Sequence, residues 1–191
     1  MNEPVDFWHA EHAQFGRLLD AFERQLALFH AGEQPNYELM RDIVQYLRDY
    51  PDRFHPPRED VAFECLLAHD PSLAPRINRL LQEHRVVAAA GSALLERLRE
   101  LTADAMMPRE MIESAAATYL VYYRHHIASE ESDVMPRAAQ LLTPADWARV
   151  AQGWDWASVL PYFKRAEGNT RGGDALHGGD GPLGVSDLRH S

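Results

Sequence analysis

Apolar residues recur along this chain in alternating steps of three and four, the period of a helix that buries one face. In the first segment Trp8, Phe15, Leu19, Phe22, Leu26 and Phe29 form such a seam, with a single imidazole, His12, set among them. Ala31-Gly32-Glu33-Gln34-Pro35 ends that helix, because glycine accepts the left-handed turn after a last helical residue and proline cannot continue the ladder. A second helical segment runs from about Tyr37 through Met40, Ile43 and Leu47 to about His69. Pro51, Pro56 and Pro57 lie inside it and predict a break and restart near Pro51, since proline lacks the backbone donor and clashes with the preceding turn. Asp70-Pro71-Ser72 predicts the opening of a third helix with Ile77, Leu80, His84, Val87, Gly91, Leu94, Leu98 and Leu101 on one stripe. Again one histidine sits in the seam. Pro108 opens a fourth helix that carries Ile112, Ala115, Tyr119, Tyr122, His126 and Glu130 along one face and runs to about Gln140. Thr143-Pro144-Ala145-Asp146 reads as cap, proline and acidic third position, and predicts a short fifth helix with Trp147, Trp154 and Trp156 that packs across the others.

No stretch alternates with period two between hairpin turns, so the fold class is all-α. Four long helices with short connections predict an up-and-down four-helix bundle with a short fifth C-terminal helix. The bundle is expected over residues 1–160, and the Gly-rich polar residues 161–191 are expected to form a flexible tail. Composition narrows the function. With 29 acidic against 19 basic residues the net charge is −10, and no basic cluster offsets it, which argues against a nucleic-acid partner. No apolar run approaches the roughly 20 residues that a membrane-spanning helix needs. The first residues lack the basic start and apolar stretch of a secretion signal, and a lone Cys65 cannot form an internal disulfide, so a cytoplasmic location is expected. The sequence is compatible with a homodimer and names no redox partner. Ten histidines direct attention to imidazole chemistry and metal ligation.

His55 is followed four residues later by Glu59, and His126 by Glu130, a spacing that places imidazole and carboxylate on one helix face. Chance alone supplies about 0.7 such pairs in a chain of this composition, so the motif by itself is weak. Duplication strengthens it. His55 follows Glu11-His12 by 43 residues and His126 follows Glu83-His84 by 42, so the chain reads as two helical hairpins with the same polar insertions. Closing the bundle gathers four imidazoles and two carboxylates, a set that is costly to bury without metal. Six mixed nitrogen and oxygen donors, with carboxylates able to bridge, suit two octahedral metals better than one tetrahedral zinc. Two iron ions are the expected occupants, with manganese as the second candidate. Roughly two of twelve positions then stay open for a small diatomic ligand or peroxide.

The stretches Glu11-His12, Tyr46-Leu47-Arg48-Asp49-Tyr50-Pro51-Asp52-Arg53-Phe54-His55 with Glu59-Asp60, Glu83-His84, and His126-Ile127-Ala128-Ser129-Glu130-Glu131 ending at Pro136 resemble the hemerythrin-like HHE cation-binding proteins. The resemblance covers about residues 5–150 and implies a four-helix bundle around a non-haem di-iron centre. It implies the ligands His12, His55, Glu59, His84, His126 and Glu130, the residues that the repeat had already singled out. Two departures bear on function. Oxygen-carrying hemerythrins use a fifth histidine four positions along the third helix, where this chain has Ala88, and many relatives carry a second histidine where it has Pro56. His9 or His125 is available to supply a fifth nitrogen, and Tyr119 and Tyr122 could offer a phenol to a bound oxygen species.

No glutamate has a histidine three positions on, as ferritin-like di-iron sites require, and no zinc-protease, phosphate-loop or nucleophile-elbow motif is present. The expected function is a di-iron protein that binds or reacts with dioxygen, peroxide or nitric oxide, as a sensor, scavenger or stress-response factor. Turnover is not implied. The alternatives are oxygen or iron storage without turnover, and a helical protein-interaction module with a structural metal.

Overall fold

The computed structural model describes residues 3–102 and 108–152. Helix α1 spans Glu3–His30, α2 Tyr37–Asp49, α3 Pro51–His69, α4 Ala74–Thr102, α5 Arg109–Ser129, α6 Met135–Leu141 and α7 Pro144–Ala151. No strand occurs among the described residues. The break near Pro51 is present: α2 ends at Asp49, Tyr50 alone intervenes, and α3 restarts with proline in its first turn, where the missing N–H costs nothing. Gly32 takes the left-handed conformation at φ 81° just past α1, as the Gly-Pro signal predicts. Asn36 caps α2 by accepting from the Leu39 amide at 2.9 Å.

Two boundaries differ from expectation. Asp70-Pro71-Ser72 opens a one-turn 3₁₀ segment, Pro71–Leu73, before α4 begins at Ala74, because the Asp70 carboxylate holds the Ser72 amide and hydroxyl in a tight turn. The fourth helix is not continuous to Gln140. A five-residue π segment, Glu130–Val134, separates α5 from α6. The fifth helix agrees with its signal in detail. Thr143 and Asp146 form a reciprocal capping box, and Trp147 is buried where α7 packs on α3. The rest of that expectation, Trp154 and Trp156, and the tail over 161–191 lie outside the described residues.

The rods α1, α2–α3, α4 and α5–α6 share one interior, with contacts between α1 and α2, α2 and α4, α4 and α5, and α5 and α1. That interior is two apolar clusters. One holds Phe15, Leu19, Phe22, Ile43, Leu47, Tyr50, Leu94, Leu98, Tyr119 and Tyr123. The other holds Trp8, Phe63, Leu66, Ile77, Leu80, Val134, Met135 and Trp147. Each fully buried aliphatic side chain stabilises the fold by roughly 1.5–3 kcal/mol. Along α1 and α4 residues of the second cluster precede those of the first, and along α2–α3 and α5–α6 the order is the reverse. Among the described residues a polar layer falls between the two clusters along the rods: His12, His55 with Glu59, His84, and His126 with Glu130.

Close approach of α2 and α4 rests on Gly91. A Cβ there would lie 2.7 Å from Arg48 Cδ and 2.9 Å from Tyr119 Cε2, and the Tyr119 ring is fully buried. Arg48 crosses above this glycine to donate to the Ala88 carbonyl. Gly91→Val is expected to destabilise the chain by about 1–3 kcal/mol through overpacking. Gly91→Ala should lose less, because about 1 kcal/mol of helix propensity offsets the crowding. Urea unfolding followed by circular dichroism checks this, and a Gly91→Val midpoint equal to that of the parent would contradict the packing.

Candidate metal centre

Four rods deliver the polar layer. His12 comes from α1, His55 and Glu59 from successive turns of α3, His84 from α4, and His126 from the last turn of α5. Glu130 opens the π segment. Burial of His126, Glu130, Val134 and Ala138 at a strict spacing of four would wander by about 40° per step on an α-helix. The wider π turn absorbs that drift, so carboxylate and apolar residues keep one inward face. The strict four-residue spacing is the sequence signal that would have revealed it.

The structure brings the six expected residues together as two overlapping sets. Donor atoms of His12, His55, Glu59 and Glu130 lie within 4.8 Å of one another, and so do those of Glu59, His84, His126 and Glu130. Both glutamates belong to both sets. His55 Nε2 is 2.7 Å and His84 Nε2 3.1 Å from the Glu59 carboxylate, while His12 Nε2 and His126 Nε2 are 3.2 and 3.3 Å from Glu130. The glutamates and His12, His55 and His126 are buried, and the His84 side chain is 13% exposed.

These residues fit a cation and are poorly satisfied by one another. Glu59 Oε2, both Glu130 oxygens and His84 Nε2 are buried without a hydrogen bond, although His84 Nε2 and Glu59 Oε2 lie within 3.1 Å. The atoms converge on shared space and do not align as donor and acceptor. His12 Nε2 and His55 Nε2 stand 3.1 Å apart, so two bare lone pairs there would repel. Protons relieve part of the charge. Burial pulls the His12, His55 and His84 imidazoles down, but the carboxylates outweigh it and raise them to about 9, 10 and 10. Burial, helped by His84, holds His126 below its ordinary value against the pull of Glu130. Burial pushes Glu59 up, yet His55, His12 and His84 carry it well below the usual carboxylate range. Glu130 is likewise lowered, by His12, His84 and His126 against burial and the Glu59 charge. A cation and these protons compete for the same Nε2 positions, so metal loading releases protons.

The sequence does not reveal the contacts that several neighbours make. The Trp8 indole N–H donates to Glu59 Oε1, an inward polar contact from a residue read only as part of an apolar seam. Buried Glu11 lies 3.0 Å from His55 Nδ1 and also accepts from Tyr50 and Arg58. The phenol expectation needs correction. Tyr119 is buried, but Tyr122 is 45% exposed and Tyr123 takes the inward place. The buried set Ile112, Ala116, Tyr119, Tyr123 and His126 steps by three and four, and Tyr122 falls on its outer flank. His9 and His125 join neither donor set; each side chain is half exposed. Cys65 is buried in the second apolar cluster with the Arg149 guanidinium 3.3 Å from its sulfur.

The family model for the Hemerythrin HHE cation binding domain matches residues 3–138. Among curated proteins, human (Homo sapiens) mitochondrial choline dehydrogenase is 36% identical over 74 residues, 38% of this chain and 10% of that enzyme. The Mus musculus enzyme is 53% identical over 36 residues, 19% of this chain and 6% of its own. An oxygen-dependent choline dehydrogenase of Photobacterium profundum is 53% identical over 35 residues, 18% of this chain and 6% of that protein. The chain thus spans a tenth or less of these curated relatives. No solved structure matches it significantly.

Glu59→Ala and Glu130→Ala are each expected to abolish metal loading while far-UV circular dichroism still reports a helical bundle. Full loading in either variant would refute a shared carboxylate. His9→Ala and His125→Ala should load as the parent does, and loss of half the metal in one of them would mark it as a fifth nitrogen ligand.

Proposed function

This chain belongs to the hemerythrin HHE cation-binding family, and we propose that His12, His55, Glu59, His84, His126 and Glu130 hold two iron ions that bind or react with dioxygen, peroxide or nitric oxide. The observation that carries this reading is the membership of Glu59 and Glu130 in both donor sets. Two imidazoles per set and two shared carboxylates suit a binuclear centre of mixed nitrogen and oxygen donors. A closed structural zinc site takes four ligands to itself, so sharing speaks against it. Manganese suits the same donors and is the second candidate.

When bound, the metal pair supplies Lewis acidity and one-electron redox chemistry. The protein's part is to hold its donors still and dry. Trp8 and His55 fix one Glu59 oxygen, and Phe15 packs edge-on against the His55 ring with centroids 5.1 Å apart. The two apolar clusters close the layer from both ends. Burial of the donors favours a small ligand over a bulky organic substrate, and the partly exposed His84 marks the side of entry. A sensor, scavenger or stress-response role follows from such a ligand. Choline oxidation forms no part of this proposal, because the similarity to choline dehydrogenases spans so little of those enzymes.

The test is anaerobic reduction of the iron-loaded full chain followed by nitric oxide, dioxygen or peroxide. Visible absorption and electron paramagnetic resonance are expected to change with at least one of the three. Spectra unmoved by all three would overturn the reading.

A further inference from the structure

Each of the four inner histidines has a carboxylate at its outward Nδ1. Glu11 Oε2 lies 3.0 Å from His55, Glu131 Oε1 3.3 Å from His12, Glu83 Oε2 3.4 Å from His126, and Asp60 Oδ1 3.8 Å from His84. Every one of these acids is the chain neighbour of an inner residue: Glu11 of His12, Asp60 of Glu59, Glu83 of His84, Glu131 of Glu130. None serves the histidine of its own element. Glu11 on α1 reaches His55 on α3, Asp60 on α3 reaches His84 on α4, and Glu83 on α4 reaches His126 on α5. Glu131, just past α5, returns to His12 on α1. The links therefore form a closed circuit in which every rod gives one carboxylate and receives one.

We propose that Glu11, Glu131 and Glu83 are positioning residues that fix the tautomer and aim of His55, His12 and His126, with Glu11 the strongest link, and that Asp60, beyond hydrogen-bond distance at 3.8 Å, steers His84 by its charge alone. This rests on the metal-binding reading above. An imidazole that donates Nδ1–H outward keeps its Nε2 lone pair inward, and a carboxylate partner makes that lone pair more basic. The links differ in strength because they differ in depth. The Glu11 side chain is 4% exposed and is itself held by Tyr50 and Arg58, each at 2.6 Å. The Glu83 side chain is 15% exposed and tied to Arg79 at 2.8 Å. Glu131 is shared with His9 at 3.4 Å, and the exposed Asp60 makes the longest link. Water competes most at the last two.

The circuit also predicts which metal each link governs. Glu11 serves a histidine of the His12/His55 set, and Glu83 serves one of the His84/His126 set. The experiment is a stepwise ferrous ion titration of the full chain under argon against a competing chelator. Glu11→Gln is expected to weaken one binding step about 10–100-fold, and Glu83→Gln to weaken the other by a smaller factor. Asp60→Asn should weaken its step least. A purely structural role would lower thermal stability without separating the two steps. Two-step binding in the parent that Glu11→Gln and Glu83→Gln both leave unmoved would overturn the circuit alone. No ferrous binding by the parent would overturn the metal reading and the circuit together. Should Glu11→Gln fail to fold, Glu83→Gln decides, since its partly exposed side chain can be changed without opening the core.

Discussion

Two carboxylates and four imidazoles sit in one layer across the middle of a helical bundle, and their burial is the constraint to which the other features answer. Charges removed from water cost several kcal/mol each unless opposite charge and hydrogen bonds replace the lost solvation. Here the inner atoms satisfy one another only in part: several converge without a hydrogen bond, and two imidazole nitrogens stand 3.1 Å apart. The proposed cations at the shared glutamates would resolve both problems. The carboxylates hold His12, His55 and His84 above the ordinary imidazole range, so protons on them offset part of the charge.

The backbone irregularities are explained by the same layer. The restart at Pro51 ends α2 just before the segment that carries His55 and Glu59. The π segment lets Glu130 face inward while Val134 and Met135 stay in the apolar cluster beyond. Apolar packing on both sides then holds donors whose own contacts leave several polar atoms without a hydrogen bond. Tight approach elsewhere, as at Gly91, keeps the rods near enough for one glutamate to serve two donor sets.

Much of this was legible in the sequence, because helical periodicity and the doubled histidine–glutamate spacing both survive in a single chain. The helices follow from patterns of three and four, the break at Pro51 from proline, the capping box at Thr143 from its cap signal, and the gathering of six donors from the doubled histidine–glutamate spacing. What was not legible depends on distances between rods. The doublets Glu11-His12, Glu59-Asp60, Glu83-His84 and Glu130-Glu131 are plain in the sequence, but nothing local says that each acid reaches a histidine on another rod. Trp8 looked like an apolar residue because its ring is one; its N–H toward Glu59 emerges only when α1 meets α3. Tyr122 lies four residues before His126, a spacing that suggests the inner face, and the finer turn of the helix carries it outside. The π segment hid behind a spacing that looks helical until it is followed over four positions.

Glu59 and Glu130 belong to both donor sets, and in the proposed centre they would serve two metal ions. The most direct measurement is elemental mass spectrometry of the full chain purified without chelator. About two metal ions per chain are expected, both iron. A single zinc per chain, or no metal at all, would contradict the proposed centre.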